Sequence, residues 1–457
     1  MTVASLEALR AALGDAVTVE PDLLDATRAD KSGHRSASAP LAVVTARSTE
    51  DVQATLRIAS EHRVPVVTRG AGTGLAGGAT AQAGEIVLST LAMDGILEIA
   101  VADELAVVQP GVINGDLNRA LAPHGLWFAP DPASRSISTV GGNIATGAGG
   151  LLCAKYGVTR EAVLALTVVA ADGSLLRLGH RSVKGVTGLD LTALMIGSEG
   201  TLGVIVEATV RAIPLPVGVV GTIGAWFADI EAAAAAAAAI AAARVRPAAM
   251  ELLDALSVRL IGEYLAQPMG QRGGAYLLVQ TDGAASELEA ERALAIIRSL
   301  GGDAELTSDA EEGERLLAVR RAFHPALEAT GTVLIEDVCV PRSALPAMFA
   351  AITAISDRYG LPIPTVAHAG DGNVHPNFIV PATDDAGTTV PDQVWEAAGE
   401  VFRAALALGG TLTGEHGVGL LKRRWLGDEL GDAQLDLQRR IKAAFDPLGI
   451  LNPGKVF

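Results

Sequence analysis

The spacing of apolar residues predicts a chain that alternates between helices and strands from its start. Residues 1–15 have the pattern of a short amphipathic helix, and residues 41–70 have that of a strand, a helix and a second strand. Ser48 is placed to cap this helix together with Asp51, three residues later. We therefore expect a βαβ unit in the first part of the chain. The residues predicted to share the apolar face of its helix are Val52, Leu56 and Ala59.

A glycine-rich segment, residues 65–80, follows this unit directly. Glycine permits positive φ and lets a ligand approach the backbone closely, and consecutive free N–H groups in such a loop form an anion-binding concavity. Residues 72–77 also fit the GxGxxG pattern, but a dinucleotide turn of that kind opens a helix. The residues that follow, at 86–88 and 96–99, instead form short apolar runs typical of strands. The sequence therefore favours a diphosphate-binding loop, with a plain glycine-rich surface loop as the alternative.

Small residues predominate again at 138–150, after a strand, a turn and a short helix. Such a run indicates either a flat or bulky ligand against the backbone or a flexible loop. Residues 163–179 then have the pattern of a β-hairpin with its turn at 171–173. Residues 190–216 have that of a short helix, a turn and a long apolar strand.

The composition changes after Pro216, where strands and helices alternate to about residue 424. The alanine-rich stretch at 231–247 is predicted to be a helix because alanine has the highest helix propensity. This α+β pattern fits a domain that covers a substrate. Residues 438–457 read as a final helix, a turn and a tail.

Length, composition and charge restrict the class of protein. The 457 residues allow two or three domains, and 49% apolar with 19% charged residues is typical of a folded protein. A net charge of −17 argues against nucleic acid and anionic membrane surfaces as partners. We expect no signal peptide and no integral membrane segment. Cys153 and Cys339 are too few for a disulfide framework or an iron–sulfur cluster, which fits a cytoplasmic protein and leaves peripheral membrane association open.

Two histidines and a glutamate are candidates for a metal site. His368 and His375 lie seven residues apart around a glycine turn, and Glu415 with His416 follows about forty residues later. Two imidazoles and a carboxylate can bind a divalent ion and leave positions for a substrate, although a pair of histidines alone is more often structural. His416 is the candidate general base, because an unperturbed imidazole titrates near pH ~6.5.

Several motifs in one order carry a family resemblance: RGAGTGL, PGV, PDP, TVGGNIATGAGG, KYG and GSEGTLGVI, followed by HAGDGNVH and GEHG. The chain resembles the vanillyl-alcohol oxidase/p-cresol methylhydroxylase superfamily, in the D-2-hydroxyacid dehydrogenase branch of D-lactate dehydrogenases and glycolate oxidase FAD subunits. The resemblance implies an α+β fold with a two-subdomain FAD-binding domain and an α+β cap domain. We expect the FAD-binding domain at 1–215, the cap domain at 216–424 and a returning C-terminal segment at 425–457.

The resemblance implies non-covalent FAD, because the glycine loop offers no His or Cys for covalent attachment. Relatives often have Asn where this chain has Gly147, so a polar contact to the flavin is expected to be absent or supplied from elsewhere. The implied cofactor contacts are Arg69, Gly70, Ala71, Gly72, Thr73, Gly74, Leu75, Pro130, Asp131, Ser138, Thr139, Gly141, Gly142, Ala145, Thr146, Glu199, Gly203, Ile205 and Asn452.

The resemblance also assigns the chemistry. Arg320 aligns with the arginine that binds the substrate carboxylate, with Arg321 as its competitor, and Asn377 is a second candidate for a polar substrate contact. His416 would remove the hydroxyl proton while the Cα hydride passes to flavin N5. The metal, Zn or Mn, would be held by His368, His375 and Glu415.

The expected substrate is a small D-2-hydroxy acid, with D-lactate or glycolate favoured. Relatives that oxidise D-2-hydroxyglutarate have a lysine where this chain has Ile335, although His324 or Arg342 could supply a positive charge. Other FAD enzymes of the superfamily are alternatives, such as an alkyl-glycerone-phosphate synthase or a sugar-lactone oxidase, and a metallohydrolase is a remote one. A quinone or an electron-carrier protein is the expected acceptor, and a homodimer is left open.

Overall fold

The computed structural model describes residues 2–380 and 390–457, which form two compact units. The first unit consists of Met1–Gly149, Gly157–Leu215 and Glu415–Phe457, and the second consists of Gly150–Tyr156 and Pro216–Gly414.

The units divide between Leu215 and Pro216 and again between Gly414 and Glu415. The sequence assigned residues 415–424 to the cap domain, whereas the structure groups them with the first unit. The reason is a set of backbone hydrogen bonds: the N–H groups of Leu420 and Leu421 both donate to the carbonyl of Ala76, at 2.8 and 3.2 Å. The C-terminal segment thus rejoins the first unit before its final helix begins.

The first unit contains both helices and strands in its described residues. Its α-helices are Thr2–Leu13, Pro21–Ala26, Thr49–His62, Asn114–Leu121, Val140–Thr146, Thr159–Ala162, Leu191–Met195 and Leu426–Phe445. Its strands are Val17–Thr18, Ala42–Thr45, Val66–Arg69, Ile86–Ser89, Ile96–Ala100, Leu105–Val108, Leu126–Trp127, Val163–Val169, Leu175–Gly179, Val204–Arg211 and Ile213–Pro214.

The predicted βαβ unit is present. Strands Ala42–Thr45 and Val66–Arg69 both pair in parallel with Ile86–Ser89, which lies between them. Helix Thr49–His62 connects them, and its capping box forms: the N–H of Asp51 donates to Ser48 Oγ at 3.2 Å and the N–H of Ser48 donates to Asp51 Oδ2 at 3.2 Å. The three predicted face residues Val52, Leu56 and Ala59 are fully buried.

The first unit also contains a short sheet of Leu126–Trp127 with Ile213–Pro214 and a larger antiparallel sheet, in agreement with the predicted two-subdomain α+β fold. The strand order of the larger sheet is Ile96–Ala100, Leu105–Val108, Val204–Arg211, Val163–Val169 and Leu175–Gly179. The last two strands form the predicted hairpin, whose turn has Gly173 at φ 80°. One apolar core lies against the larger antiparallel sheet, and a second core contains residues of both this sheet and the parallel one, such as Val204 and Val66.

The second unit is a single antiparallel sheet covered by helices, as far as its residues are described. Its α-helices are Cys153–Tyr156, Ile230–Ala242, Ala255–Tyr264, Ser286–Ser299, Ala310–Arg321, Phe323–Glu328, Leu345–Tyr359 and Asp392–Ala407. Its strands, in sheet order, are Asp303–Thr307, Gly221–Phe227, Ala275–Thr281, Ala249–Leu253, Thr365–His368, Asn373–Ile379 and Val333–Ile335, with Val338–Cys339 also paired to Asn373–Ile379.

The alanine-rich segment forms the expected helix, Ile230–Ala242. Ile240 is fully buried, and four of its alanines are buried with it. Alanine therefore serves two purposes here, because it favours the helix and allows close packing against its neighbours.

The small-residue segment at 138–150 is partly helical, which the sequence reading did not anticipate. Val140–Thr146 is an α-helix, with Thr139 as its N-cap accepting the N–H of Gly142 at 3.1 Å. Gly147 ends the helix in the left-handed region at φ 67°. Asparagine also tolerates this conformation, so the position suits either residue on backbone grounds.

Glu199 anchors the C-terminal segment within the first unit. Its Oε1 accepts the N–H of Val418 at 2.7 Å, and its Oε2 accepts that of Gly419 at 3.0 Å. Burial raises the pKa of Glu199 to about 7, while these N–H donors and Lys422 oppose the rise. The folded state therefore holds a proton on this carboxyl at pH values where the unfolded chain has lost it.

Replacing this carboxyl should change how stability depends on pH. The pKa of Glu199 rises from 4.5 to about 7 on folding, so its contribution to the free energy of unfolding falls as pH rises through that window. Glu199→Gln does not titrate, so its urea midpoint should fall less between pH 5 and pH 8 than that of the wild type. The control is Glu98→Gln, because Arg181 lowers the pKa of Glu98 and its titration lies below this window. Equal falls in wild type and Glu199→Gln would contradict the assignment.

Candidate active site

The glycine-rich loop has a row of backbone amides with no acceptor in the part of the chain that the structure describes. It starts where strand Val66–Arg69 ends, and no helix intervenes before Ile86, as predicted. Among the described residues, none accepts a hydrogen bond from a backbone N–H of residues 70–75. Consecutive amides of this kind suit the charged oxygens of a diphosphate.

Arg69 stabilises this loop from within. Its Nη1 donates to the carbonyl of Ala79 at 2.7 Å and its Nη2 to that of Ala29 at 2.9 Å. Gly72 has φ 68°, and a Cβ built there would clash with the Arg69 guanidinium. The side chain of Arg69 therefore holds the loop in shape, and any direct contact of this residue with a cofactor would come from its backbone.

Helix Val140–Thr146 has one apolar face and one face of small residues. Val140 and Ile144 are fully buried in the core, whereas Gly142, Ala145 and Thr146 are only half-buried. The helix also lies close to the glycine loop, since a Cβ on Gly70 would be 2.5 Å from Thr139 Oγ1. The small face and the loop amides thus adjoin each other, which leaves room for a flat group beside the backbone.

Three further predicted contacts, Pro130, Asp131 and Ser138, lie in the segment before this helix. Asn114 holds two of them, because its Nδ2 donates to the carbonyl of Pro130 and its N–H to that of Ser138, both at 3.0 Å. Asp131 is buried, with Oδ2 3.8 Å from Arg135 Nη1. The segment is therefore fixed by hydrogen bonds on the core side.

Asn452 connects the C-terminal tail to two of the predicted cofactor segments. Its Nδ2 donates to the carbonyls of Gly78 and Glu199, at 3.0 and 2.7 Å, and its Oδ1 accepts Lys455 Nζ at 2.9 Å. Its backbone N–H donates to Val66 just before the glycine loop, at 2.8 Å. The tail thus positions both the loop and the turn that carries Glu199.

Gly203 and Ile205 lie at the start of strand Val204–Arg211 and have a packing role. A Cβ on Gly203 would clash with Val168 on the neighbouring strand, and Ile205 is buried opposite the same residue. Both residues allow this strand to approach its neighbour closely beside the turn that contains Glu199.

The second unit gathers polar side chains on one face of its sheet. The register places Glu251 opposite His368, and His368 opposite Asn373. Residues two positions apart on a strand share a face, so His375 and Asn377 lie on the same face as Asn373. All five residues are buried.

The three predicted metal ligands are brought together. One ligand atom from each of His368, His375 and Glu415 lies within 4.8 Å of the others. The two imidazole rings have centroids 5.0 Å apart and an interplanar angle of 80°. Two imidazoles and a carboxylate suit a divalent ion such as Zn²⁺ or Mn²⁺. The residues present therefore fit a divalent metal.

Glu251 is a site residue that sequence reasoning missed. Its Oε1 pairs with His368 Nδ1 at 2.7 Å, and its Oε2 accepts Arg320 Nε at 2.8 Å. The available signal was a single carboxylate in the otherwise apolar strand Ala249–Leu253. A buried carboxylate requires partners, but the sequence does not show which ones.

The two candidate arginines have different environments. Arg320 is 8% exposed and bonded to Glu251. Arg321 is exposed and forms an ion pair with Glu314 on its own helix, with Nη1 2.5 Å from Oε2. Arg320 is thus held in a buried ion pair, whereas Arg321 is a surface charge.

Asn377 is largely committed to holding its own strand. Its Nδ2 donates to the carbonyls of His375 and Pro364, at 2.7 and 3.2 Å, and the residue is fully buried. Its Oδ1 has no hydrogen-bond donor among the described residues. Any substrate contact would therefore use Oδ1. Ile335, half-buried, lies opposite Asn377 in the neighbouring strand.

Asp337 is a second residue that the sequence did not single out. Its Oδ2 accepts the N–H of Gly414 at 2.6 Å, and its Oδ1 accepts Thr413 Oγ1 at 2.9 Å. These bonds fix the residues that directly precede Glu415 and His416. His416 itself is half-buried, and its role as general base stays a prediction.

Comparisons with known proteins identify the relatives of this chain. Residues 219–456 match the family described as FAD linked oxidases, C-terminal domain, and residues 40–179 match the FAD binding domain family. The glycolate oxidase subunit GlcD of Bacillus subtilis (strain 168) is 42% identical over 426 residues, covering 92% of this chain and 89% of that protein. A D-lactate dehydrogenase of Archaeoglobus fulgidus is 37% identical over 422 residues, covering 91% and 90%.

Solved structures confirm the predicted fold type. Substrate-bound p-cresol methylhydroxylase superposes with a TM-score of 0.81 at 20% identity, covering 99% of this chain and 96% of that one. An alkyldihydroxyacetonephosphate synthase superposes with a TM-score of 0.76 at 19% identity, covering 98% and 85%. At these identities the likeness concerns the fold alone.

None of the described helices combines the length and apolar character needed to cross a membrane.

Gly72→Ala should weaken FAD binding. Its φ of 68° costs a β-carbon about 1 to 2 kcal/mol, and the added methyl would displace the Arg69 guanidinium from the loop. Gly84→Ala is the matched control, because Gly84 has φ 85° but open space around its Cβ position. The measurement is an FAD titration of apoprotein prepared by acid release of the flavin. Both variants should lose stability, but only Gly72→Ala should lose affinity; equal FAD affinities would contradict the role of Arg69.

Proposed function

Because the chain belongs to the FAD-linked oxidases, we propose that it oxidises a small D-2-hydroxy acid, D-lactate or glycolate, to the corresponding 2-keto acid. The observation that carries the substrate class is that Arg320 and the ligand candidate His368 bind the two oxygens of one carboxylate, Glu251. Arg320 thus lies beside the proposed metal site, just as the carboxylate of a 2-hydroxy acid lies beside its hydroxyl group.

The proposed cofactors are non-covalent FAD and one divalent ion, Zn or Mn. When bound, FAD accepts the hydride from Cα and the ion polarises the substrate hydroxyl as a Lewis acid. The residues proposed to hold the ion are His368, His375 and Glu415, whose donor atoms lie within 4.8 Å of one another. The amides of residues 70–75 and the small face of helix Val140–Thr146 support FAD binding.

Arg320 is proposed to bind and orient the substrate carboxylate. Its Nε is bonded to Glu251, so the two terminal amino groups of the guanidinium are left to form a bidentate pair. This fixes the acid at one end and limits its rotation. A fixed orientation lowers the barrier because the reacting atoms no longer need to be brought into line.

His416 is proposed to accept the hydroxyl proton. A neutral imidazole is a suitable base near neutral pH. The loop that carries it is fixed by Asp337 on one side and by Glu199 on the other. Loss of the proton makes the oxygen electron-rich, which favours departure of the hydride from the adjacent carbon.

The proposed acceptor of the electrons is a quinone or an electron-carrier protein rather than oxygen or NAD. The glycine loop is not followed by the helix that a dinucleotide turn requires. Cys153 and Cys339 are too few to form an iron–sulfur relay within the chain. We also propose a cytoplasmic location. The proposal leaves peripheral membrane association and a homodimer open.

The central experiment separates the proposed base from the proposed ligands. His416→Ala should keep FAD and metal but slow flavin reduction by about 10² to 10⁴, whereas His375→Ala should lose metal and turnover together. Flavin bleaching by D-lactate and glycolate is followed anaerobically, with metal content measured on the same samples. His124→Ala, an exposed histidine, should behave as wild type. Unchanged reduction in His416→Ala would exclude it as the base.

The alternative substrate is D-2-hydroxyglutarate, and Ile335 is the position that discriminates. A distal carboxylate beside isoleucine lacks a charge-assisted hydrogen bond worth about 1.5 to 3 kcal/mol, a factor of about ten or more in kcat/KM. Ile335→Lys should therefore raise kcat/KM for the diacid at least about tenfold, whereas Ile335→Leu should not. A wild-type enzyme that prefers D-2-hydroxyglutarate would contradict the proposal, and would direct attention to His324 or Arg342.

A further inference from the structure

We infer that Glu251 is a positioning residue for both parts of the proposed site. It sets the tautomer of His368, so that Nε2 is the ligand atom, and it orients the guanidinium of Arg320 toward the substrate carboxylate. This inference rests on the proposed function. Each oxygen of Glu251 is bonded to one of these two residues, so Glu251 acts on the site through them.

The geometry leaves Glu251 little freedom. Its side chain is 1% exposed, and those of His368 and Arg320 are 8% and 10% exposed. Its strand lies directly beside that of His368, and the register places the two residues opposite each other. An unpaired carboxylate at this depth is unfavourable, because its charge is removed from water without compensation. The two donors therefore define the rotamer of Glu251, and Glu251 defines theirs.

Glu251 determines which ring nitrogen of His368 carries the proton. A carboxylate only accepts hydrogen bonds, so its contact with Nδ1 requires a proton on Nδ1. The lone pair of the neutral ring is then on Nε2. A metal-bound histidine that donates its other N–H to a carboxylate is oriented more firmly and is a more basic ligand.

Glu251 also fixes the direction in which the guanidinium of Arg320 points. A guanidinium bonded through Nε presents its Nη1 and Nη2 edge away from that bond, in the geometry of a carboxylate fork. Arginine side chains otherwise have many rotamers, and fixing one of them costs rotamer entropy. Glu251 therefore prepares Arg320 before the substrate arrives.

Glutamine cannot replace Glu251 in this double role. Its amide has one oxygen and one NH₂ group, whereas His368 Nδ1–H and Arg320 Nε–H both require an acceptor. Either the arginine loses its partner, or the imidazole turns or moves its proton to Nε2. Glu251→Gln should thus disturb the metal ligand, the substrate clamp or both, without altering any group that contacts substrate.

The test begins with the tautomer of His368 in FAD-loaded, metal-free protein, which ¹⁵N-histidine NMR reports, with His368→Gln used to assign the signal. Wild type should show the Nδ1–H form, and Glu251→Gln should lose it. Metal affinity is then measured by competition with a chelator, and Glu251→Gln should weaken it by about 10 to 100-fold. KM for the hydroxy acid should rise at least about tenfold, as expected when an oriented charged contact is lost.

Two further variants separate positioning from general damage. Arg320→Met should raise KM but leave the Nδ1–H tautomer unchanged. Asp229→Ala removes another carboxylate of the same unit, which caps helix Ile230–Ala242 by accepting the N–H of Ala232 at 2.8 Å. It should lower the unfolding midpoint while leaving the tautomer and metal affinity as in wild type.

The outcomes distinguish this inference from the proposed function. An Nε2–H tautomer in wild type would overturn the inference, even if Glu251→Gln does not fold. Unchanged metal affinity and unchanged KM in a folded Glu251→Gln variant would also overturn it. Wild-type protein that binds no divalent metal yet shows the Nδ1–H tautomer would refute the metal part of the proposed function and leave the role of Glu251 supported by the tautomer and KM.

Discussion

A buried carboxylate on either side of the loop Thr413–Gly419 fixes that loop, and the candidate chemistry depends on this constraint. Asp337 accepts the N–H of Gly414, and Glu199 accepts those of Val418 and Gly419. Glu415 and His416 lie between these anchors in the chain. Hydrogen bonds from backbone N–H groups to buried carboxyl oxygens hold both ends of a loop rich in glycine, which has little side-chain packing of its own.

In the first unit a cation, rather than a carboxylate, fixes the glycine-rich loop. Arg69 uses its guanidinium to bind carbonyls of Ala79 and Ala29, which leaves the amides of residues 70–75 to face a ligand. The neighbouring helix Val140–Thr146 contributes a face of small residues rather than charges. Binding by backbone and small side chains suits a large, flat and negatively charged cofactor, because many weak contacts are made over a wide area.

The second unit shows how a sheet can assemble a polar site inside an apolar core. Glu251, His368 and Asn373 occupy facing positions on three neighbouring strands, so the register alone brings them together. Each buried charge has a partner, which limits the cost of removing it from water. His375 and Asn377 continue the polar row along the strand that carries Asn373.

Local pattern determined the order of the elements and the candidate ligands, whereas long-range pairing decided how the site is held. The capping box at Ser48, the glycine turns and the spacing of His368 and His375 are local features, and a local pattern can reveal them. Glu251 meets His368 across 117 residues, and Glu199 meets Val418 across 219. The sequence marks such carboxylates only as charges within apolar strands or turns, because the identity of their partners depends on strand register and on the return of the C-terminal segment. Those are set when the sheets form and the core is buried, and only the tertiary structure contains them.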